Sequence, residues 1–530
     1  MPSNLSLIIA ITLIIFGSAA VLMSLRRDLM MFQQNSYRPD RYARWAKQSK
    51  ESTSFMRLFS LAALFLVLVH HLPFIFSGGI ACVVTASVAL WLATRKYKKP
   101  LVMTRRAWRI FMTAIALVII VVCVPLIWLA HAPRVAATIL LAVLFTSPLF
   151  IIAANLLLTP VEKSITRKYY NEATDILRSM PDLKIIGITG SYGKTSTKHY
   201  LHRILSEQFD TLMTPGSFNT PMGVVRTIRE YLKPYNEVFI VEMGAKQLGD
   251  IKEICDLVHP QMGIITAVGE QHLESFKSIE NVQRTKFELA DSLPADGVAV
   301  LNNDFPYVAN RPVDNCKALR YAVSNPEGAD YTVSDIEYLP TGSLFTINCP
   351  DGKQLKLKTA LVGECNISNL MAACIIAMQL GMDDRKIQYA VEHIEQVEHR
   401  LNMKRTPGGV TIIDDAFNSN PDGSRMALDV LSRMTSGRRI VVTPGMIELG
   451  ERQFELNRKL GETIGRSVDI AIIVGQYNRE ALTKGVESTD FPQENLHTVA
   501  SFAESQSLLS TMLRPGDTIL YENDLPDTFK

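Results

Sequence analysis

The 530-residue sequence predicts a multi-pass α-helical membrane domain followed by α/β domains. Three observations predict this class. Long apolar runs crowd the first 160 residues. The charge divides sharply: residues 1–161 hold sixteen basic residues and three acidic ones (Asp28, Asp40, Glu51), a net +13, while residues 162–530 are −10. Beyond Pro160, short apolar strands alternate with helical stretches around a Gly-rich turn, the pattern of α/β folds. The apolar content and ordinary Gly and Pro counts exclude disorder and a collagen-like fibre. Seven cysteines without a C-x-x-C pair argue against a disulfide scaffold or zinc ribbon and for reduced thiols.

Five apolar runs lie at about 5–25, 58–76, 78–94, 110–130 and 135–158, and none contains Asp, Glu, Lys or Arg. Each approaches the ~17–25 residues that cross a bilayer core. The first lacks a basic leader and a cleavage site, so it reads as a retained helix. The second and third meet at Ser77, before Gly78 and Gly79, as a tight helical hairpin. Fifteen basic residues fall in the stretches 26–57 and 95–109, which the positive-inside rule places in the cytoplasm. Five crossings then put the N-terminus outside and everything after about 160 inside. His70 and His71 read as headgroup-level imidazoles; a functional intramembrane role is the less favoured alternative. Tyr37, Tyr42 and Trp45 among the charges of 26–57 point to anionic lipid, and no nucleic-acid partner is expected.

Residues 161–182 read as a charged connecting helix. Lys184–Thr189 then reads as a buried strand, followed by Gly190-Ser191-Tyr192-Gly193-Lys194-Thr195-Ser196 and a helical segment. Strand, Gly-rich turn and helix form the context of a phosphate loop, in which backbone N–H groups and the helix dipole meet phosphate. Lys194 would reach the β/γ-phosphates and Thr195 would hold Mg²⁺. Ile188 stands where the usual motif has its first Gly, so an ordinary glycine turn stays open at this point. The strand 238–241 ends at Glu242, which suits a metal-side carboxylate. His272 follows another strand, and Lys286 lies on a helix; each alone has a bland structural reading.

Taken together, ITGSYGKTS, SFNTPMG (217–223), VEMGA (241–245), HLESFKSIENVQRTKFE (272–288), VLNND (300–304), GECNISNLMAA (363–373), TIIDDAFNSNPD (411–422) and GMIELGE (445–451) resemble the Mur ligase family of ATP-dependent amide-forming ligases. The likeness covers most of 183–520. It is greatest to the branch that adds D-alanyl-D-alanine to the UDP-muramoyl tripeptide. The resemblance implies a central P-loop ATPase domain over 183–405 and a Rossmann-like domain over 406–530; the Thr-Pro-Gly-Gly stretch 406–409 reads as a hinge between them, and the apolar runs read as a membrane domain over 1–160. It implies that ATP phosphorylates a substrate carboxylate and that an amine, an amino acid or dipeptide, attacks the acyl phosphate. Carried over by motif, Gly190, Ser191, Gly193, Lys194, Thr195 and Ser196 bind ATP. Thr195 and Glu242 hold one Mg²⁺, His272 helps hold a second, and Lys286 matches a lysine that is carbamylated. Asn302 contacts adenine, Arg400 and Asp415 hold phosphate and ribose, and Asn219 and Thr220 lie beside the carboxylate substrate.

Departures from the pattern are Cys365 for a common His, Phe417 for Tyr, Asn457 for His, and Leu520–Asp527 in place of a Lys-Gly-Ser stretch. The membrane part stands where the branch has its UDP-binding domain. A lipid-linked muropeptide-type precursor, its pyrophosphate against 26–57 and 95–109, is therefore expected; the alternative is a simple anchor with UDP-linked substrate on the core. The implied location is the bacterial inner membrane with the ligase domains inside. Two competing readings are a membrane-bound poly-γ-glutamate-type ligase and a catalytically dead scaffold.

Overall fold

Polar backbone groups packed among apolar side chains must pair locally, and the N-terminal runs accordingly form helices. The structure, a computed structural model, describes residues 4–49, 54–95, 97, 99–128, 133–339, 342–417 and 419–524. Of the residues and stretches given above, 50–53, 96, 98, 129–130, 418 and 525–527 lie outside these. The chain divides into one unit over 1–166 and another over 167–524.

The first unit contains α1 (Asn4–Gln34), α2 (Pro39–Gln48), α3 (Phe55–Leu68), α4 (Phe74–Thr94), α5 (Arg105–Trp128) and the start of α6 (Pro133–Arg178). Among the described residues, α1, α4, α5 and α6 are long and apolar enough to cross a membrane, whereas α3 has only 14 residues. The expected hairpin at Ser77 is corrected. The chain turns at residues 69–73, where Pro73 disfavours helix at the residue before it, and Ser77, Gly78 and Gly79 sit inside α4. His70 and His71 are exposed in this turn. A separate connecting helix from 161 is also corrected: α6 runs unbroken through Pro148 and Pro160.

Arg57 and Asp28 are not surface charges either. Arg57 Nη2 lies 3.1 Å from both Asp28 carboxylate oxygens, and both side chains are almost fully buried. Arg57 Nη1 donates to the carbonyls of Leu144 (2.7 Å) and Phe145 (2.9 Å) and to Ser147 Oγ (3.0 Å). Leu144 is the carbonyl that Pro148, lacking an N–H, leaves without its helical donor. The arginine thus satisfies the defect that the proline makes. At one end of the bundle, Gln33 Nε2 donates to the Val102 carbonyl (2.8 Å) and Gln34 Nε2 to that of Lys99 (2.9 Å). The two basic stretches therefore meet. Arg134, the sixteenth basic residue, donates to the Val69 and Leu72 carbonyls of the α3–α4 turn.

The second unit opens with β1 (Lys184–Thr189), α7 (Lys194–Leu205), β2 (Thr211–Met213), α8 (Pro221–Glu230), β3 (Val238–Glu242), α9 (Asp250–Val258) and β4 (Met262–Ile265). Next come α10 (Leu273–Phe276), α11 (Ile279–Asp291), β5 (Val298–Asn302), α12 (Pro306–Ala309), β6 (Lys317–Ala322), β7 (Tyr331–Leu339), β8 (Gly342–Asn348), β9 (Gln354–Thr359), α13 (Glu364–Gln379) and α14 (Asp384–Glu392). Their nine strands form one sheet in the order β2-β3-β1-β4-β5-β6-β7-β8-β9, parallel from β2 to β7 and antiparallel thereafter. Ile186 and Ile188 face one core with α7 and α13, and Ile185 faces the other. Burial on both faces explains why residues 185–188 of this strand are continuously apolar.

The rest comprises β10 (Asn402–Arg405), β11 (Thr411–Asp415), α15 (Pro421–Ser432), β12 (Arg439–Thr443), α16 (Gln453–Ser467), β13 (Ile470–Val474), α17 (Arg479–Glu487), β14 (Leu496–Val499), α18 (Phe502–Met512) and β15 (Thr518–Glu522). They build a six-stranded sheet ordered β10-β11-β15-β12-β13-β14. Here the expected hinge is corrected: Thr406–Gly409 is the turn of an antiparallel hairpin, with Asn402–Arg405 paired to Thr411–Asp414. The Pro-Gly signal marks a reversal, and the strand before it belongs to this second sheet.

Candidate active site

The phosphate loop is set between the C-terminal ends of β1 and β4 and the start of α7. Gly193 has φ 79°, and a Cβ there would lie 2.5 Å from Asn369 Oδ1. Only glycine suits both the left-handed backbone and the close approach. Ser191 N donates to the Ala267 carbonyl (2.8 Å), and Ser191 Oγ accepts from Gly269 N (3.0 Å). Lys194 folds back, its Nζ donating to the Gly190 carbonyl (2.6 Å). Burial lowers its pKa to about 8, with Glu242 opposing the shift and Arg400 adding to it.

Glu242, at the end of β3, faces this loop. Its Oε1 accepts from Thr195 Oγ1 (3.2 Å) and Asn219 Nδ2 (3.0 Å). Its Oε2 pairs with Lys198 Nζ at 3.0 Å, and Lys198 also donates to the Gly216 carbonyl (2.8 Å). Burial pushes the Glu242 pKa up, but Lys198 first, then Lys194 and the hydrogen bonds, hold it below the usual carboxylate range. Lys198 was not legible as a site residue. Its spacing of four from Lys194 on α7 places both on one face, which is the signal that identifies it.

The remaining expected residues divide. Lys286 on α11 is buried, with no hydrogen bond or ion pair among the described residues, and burial, then Lys194, holds its pKa well below normal. His272 Nδ1 bonds Glu448 Oε2, from the loop after β12. Asn302 lines a cleft of about 260 Å³ with Tyr192, Thr266, Glu364, Cys365 and Asn369, and its Nδ2 donates to the Thr266 carbonyl (2.9 Å). Arg400 stacks on the Phe417 ring at 4.3 Å. Asp415 accepts from Leu401 N (3.2 Å), and burial, then Glu522, raises its pKa to about 7. Thr220 caps α8, accepting from Gly223 N. Asn457 is buried and holds Met446 by both backbone groups (2.8 and 3.1 Å), a structural reason for that departure. In the C-terminal departure, Glu522 accepts from Ser419, Ser424 and Thr443 hydroxyls.

Residues 188–377 match the Mur ligase middle domain, and residues 399–521 match the Mur ligase glutamate ligase domain. A Mycobacterium tuberculosis (strain CDC 1551 / Oshkosh) UDP-N-acetylmuramoyl-tripeptide–D-alanyl-D-alanine ligase is 30% identical in an alignment 359 residues long that covers 64% of this chain and 70% of that protein. The chain belongs to the Mur ligase family. The Escherichia coli (strain K12) protein of the same name is 29% identical over 60% of this chain and 70% of its own length. A MurF crystal structure from Acinetobacter baumannii aligns with TM-score 0.62 and 26% identity, over 68% of this chain and 77% of that one. As a Mur ligase, the protein is an ATP-dependent, ADP-forming acid–amino-acid ligase that carries out peptide ligation.

Mur ligases use ATP and Mg²⁺, and the residues present fit the ion. Among the described residues, no three His, Cys, Asp or Glu side chains converge on a metal position. A hydroxyl and one carboxylate do converge, at Thr195 and Glu242. Mg²⁺ is commonly held by one or two carboxylates together with substrate phosphates, so this sparse set suits it.

Proposed function

We propose that this Mur ligase makes a peptide bond in peptidoglycan-precursor synthesis through an acyl phosphate, joining an amino acid or D-alanyl-D-alanine-like dipeptide to a muropeptide-type carboxylate. The observation that carries the reading is the convergence of Thr195, Asn219 and Lys198 on Glu242, beside the phosphate-loop Lys194 and the buried, unpaired Lys286. ATP lies along Gly190–Ser196 with its base in the cleft beside Asn302. Lys194 leaves the Gly190 carbonyl to neutralise the transferring phosphoryl group, a role that needs positioning and charge rather than a protein nucleophile. Thr195 and Glu242 would hold one Mg²⁺, and His272 with a carbamylated Lys286 would hold a second; Mg²⁺ bound there would supply neutralisation of phosphate charge. Asn219 and Thr220 border the carboxylate substrate, while Arg400 and Asp415 hold phosphate and ribose.

The protein resides in the bacterial inner membrane, with 183–530 in the cytoplasm, and its carboxylate substrate is lipid-linked. Support comes from the meeting of the two basic stretches beside apolar helices. Arg44, Lys47, Arg95, Lys99 and Arg105 are exposed there, while Tyr42 and Trp45 anchor α2 by packing inward. A pyrophosphate at headgroup depth meets this charge. The test compares full-length protein with a 161–530 fragment on lipid-linked and UDP-linked precursors, by mass spectrometry of the amide product. Full-length protein favouring the lipid-linked form supports the reading. Equal activity of the fragment on soluble UDP-linked precursor overturns it.

A further inference from the structure

Glu448 has no part in the ligase chemistry set out above, yet the structure invests heavily in placing it. Its carboxylate meets Nδ1 of His272 and, through Oε1, Lys246 Nζ at 3.2 Å. Its carbonyl accepts from Glu274 N (3.1 Å). Both partners of the His272–Glu448 contact hold left-handed backbone, at φ 54° and 62°. For a residue with a Cβ this backbone is disfavoured, and it persists where the surroundings fix it.

Those surroundings are visible. The loop between β12 and α16 is gripped by four side-chain amides. Asn457 binds both backbone groups of Met446. Asn478 Nδ2 donates to the Pro444 and Met446 carbonyls, both at 2.9 Å. Gln453 Nε2 donates to the Met446 carbonyl (2.5 Å) and Asn523 Nδ2 to that of Gly445 (2.6 Å). Arg452, just beyond, pairs with Glu270. The second sheet thus delivers a rigid loop, tipped by one carboxylate, to the histidine beside the phosphate loop.

A histidine that binds a metal through one ring nitrogen donates its other N–H to a carboxylate, carbonyl or water, which fixes tautomer and orientation. We infer that Glu448 is a positioning residue, whose carboxylate takes the Nδ1–H of His272 and leaves the Nε2 lone pair for the second Mg²⁺. This rests on the proposed role of His272 above. It makes the second ion's site depend on the seating of the 444–449 loop, while Thr195 and Glu242, wholly within the first sheet's domain, hold their ion without it.

The test is Mn²⁺ binding, followed by electron paramagnetic resonance of the free ion, to full-length protein in detergent with a non-hydrolysable ATP analogue. Wild type is expected to bind two ions. Glu448→Ala should weaken the second by about 10–100-fold, the range for losing such a partner, and leave the first unchanged. Glu448→Gln, whose amide oxygen still accepts the Nδ1–H, should lie between them. His272→Ala should abolish the second ion, and adding Glu448→Ala to it should cost nothing more. Wild-type affinity for both ions in Glu448→Ala, or equal weakening of both, overturns the inference. An unchanged second ion in His272→Ala overturns instead the metal role of His272 on which it rests.

Discussion

Replacing Lys198 by Met isolates the ion pair beneath the phosphate loop. The lysine side chain is 0% and Glu242 2% exposed, with Nζ 3.0 Å from Oε2. Methionine keeps the apolar stem and length but leaves a buried carboxylate without its counter-ion. Breaking one partner of such a pair costs about 3–5 kcal/mol. At about 2–4 °C per kcal/mol for domains of this size, the first unfolding transition should fall by about 6–20 °C. Scanning fluorimetry of nucleotide-free protein in detergent reads this directly. Adding Glu242→Gln removes the stranded charge, and the double variant should recover most of the loss, since replacing both members of a buried pair is far milder than removing one. A Lys198→Met protein melting within about 2 °C of wild type, or a double variant melting lower than the single, refutes the reasoning.

Lys286→Ala should lower turnover by about 100-fold or more, a loss in the upper range for weakened metal support, and acetate or formate should restore part of it. Full activity without additives would make Lys286 an ordinary buried lysine. Lys194 has a pKa of about 8 in the nucleotide-free site, and phosphate needs its charged form. Binding therefore takes up a proton above that pH, and ATP affinity by calorimetry should fall by up to about tenfold per pH unit beyond it; Lys194→Arg should flatten the profile, and a wild-type profile already flat to about pH 9.5 counts against the assignment. In a cysteine-free background, a cysteine at position 3 should be labelled from outside intact cells and one at position 47 should not; the reverse pattern inverts the topology.

The phosphate loop was legible because its parts are contiguous: an apolar strand, three marked turn residues and a helix that begins at Lys194. The same holds for β12 and β13, whose IVVT and AIIV cores announce buried strands. Short or polar strands gave no such mark, as at β10 and β14, and Thr406–Gly409 shows that turn residues reveal a reversal without revealing what it joins. Between α3 and α4, the glycine pair drew the eye from Pro73, which sets the turn. Arg57 looked like one more cytoplasmic charge because its partners, Asp28, Leu144 and Ser147, are between 29 and 90 residues away. Glu448 stood inside a motif that was read, but its contact with His272 spans 176 residues. Such pairings depend on tertiary placement, which spacing along the chain does not encode.

The shortness of α3 has a consequence for the lipid around it. Fourteen residues at 1.5 Å each extend about 21 Å, against a hydrocarbon thickness of ~30 Å. Phe55, Leu58 and Phe59, at its start, are exposed. In a bilayer this flank is too thin for its surroundings, and the neighbouring acyl chains must shorten or splay to meet it, at a fraction of a kcal/mol per Å. In the proposed inner-membrane setting the protein would carry its own dimple in the leaflet on the side where α2 and its arginines lie. Lipids with short or disordered chains would gather there at lowest cost, and a lipid-linked substrate of the kind proposed would find the headgroup plane already lowered toward the protein.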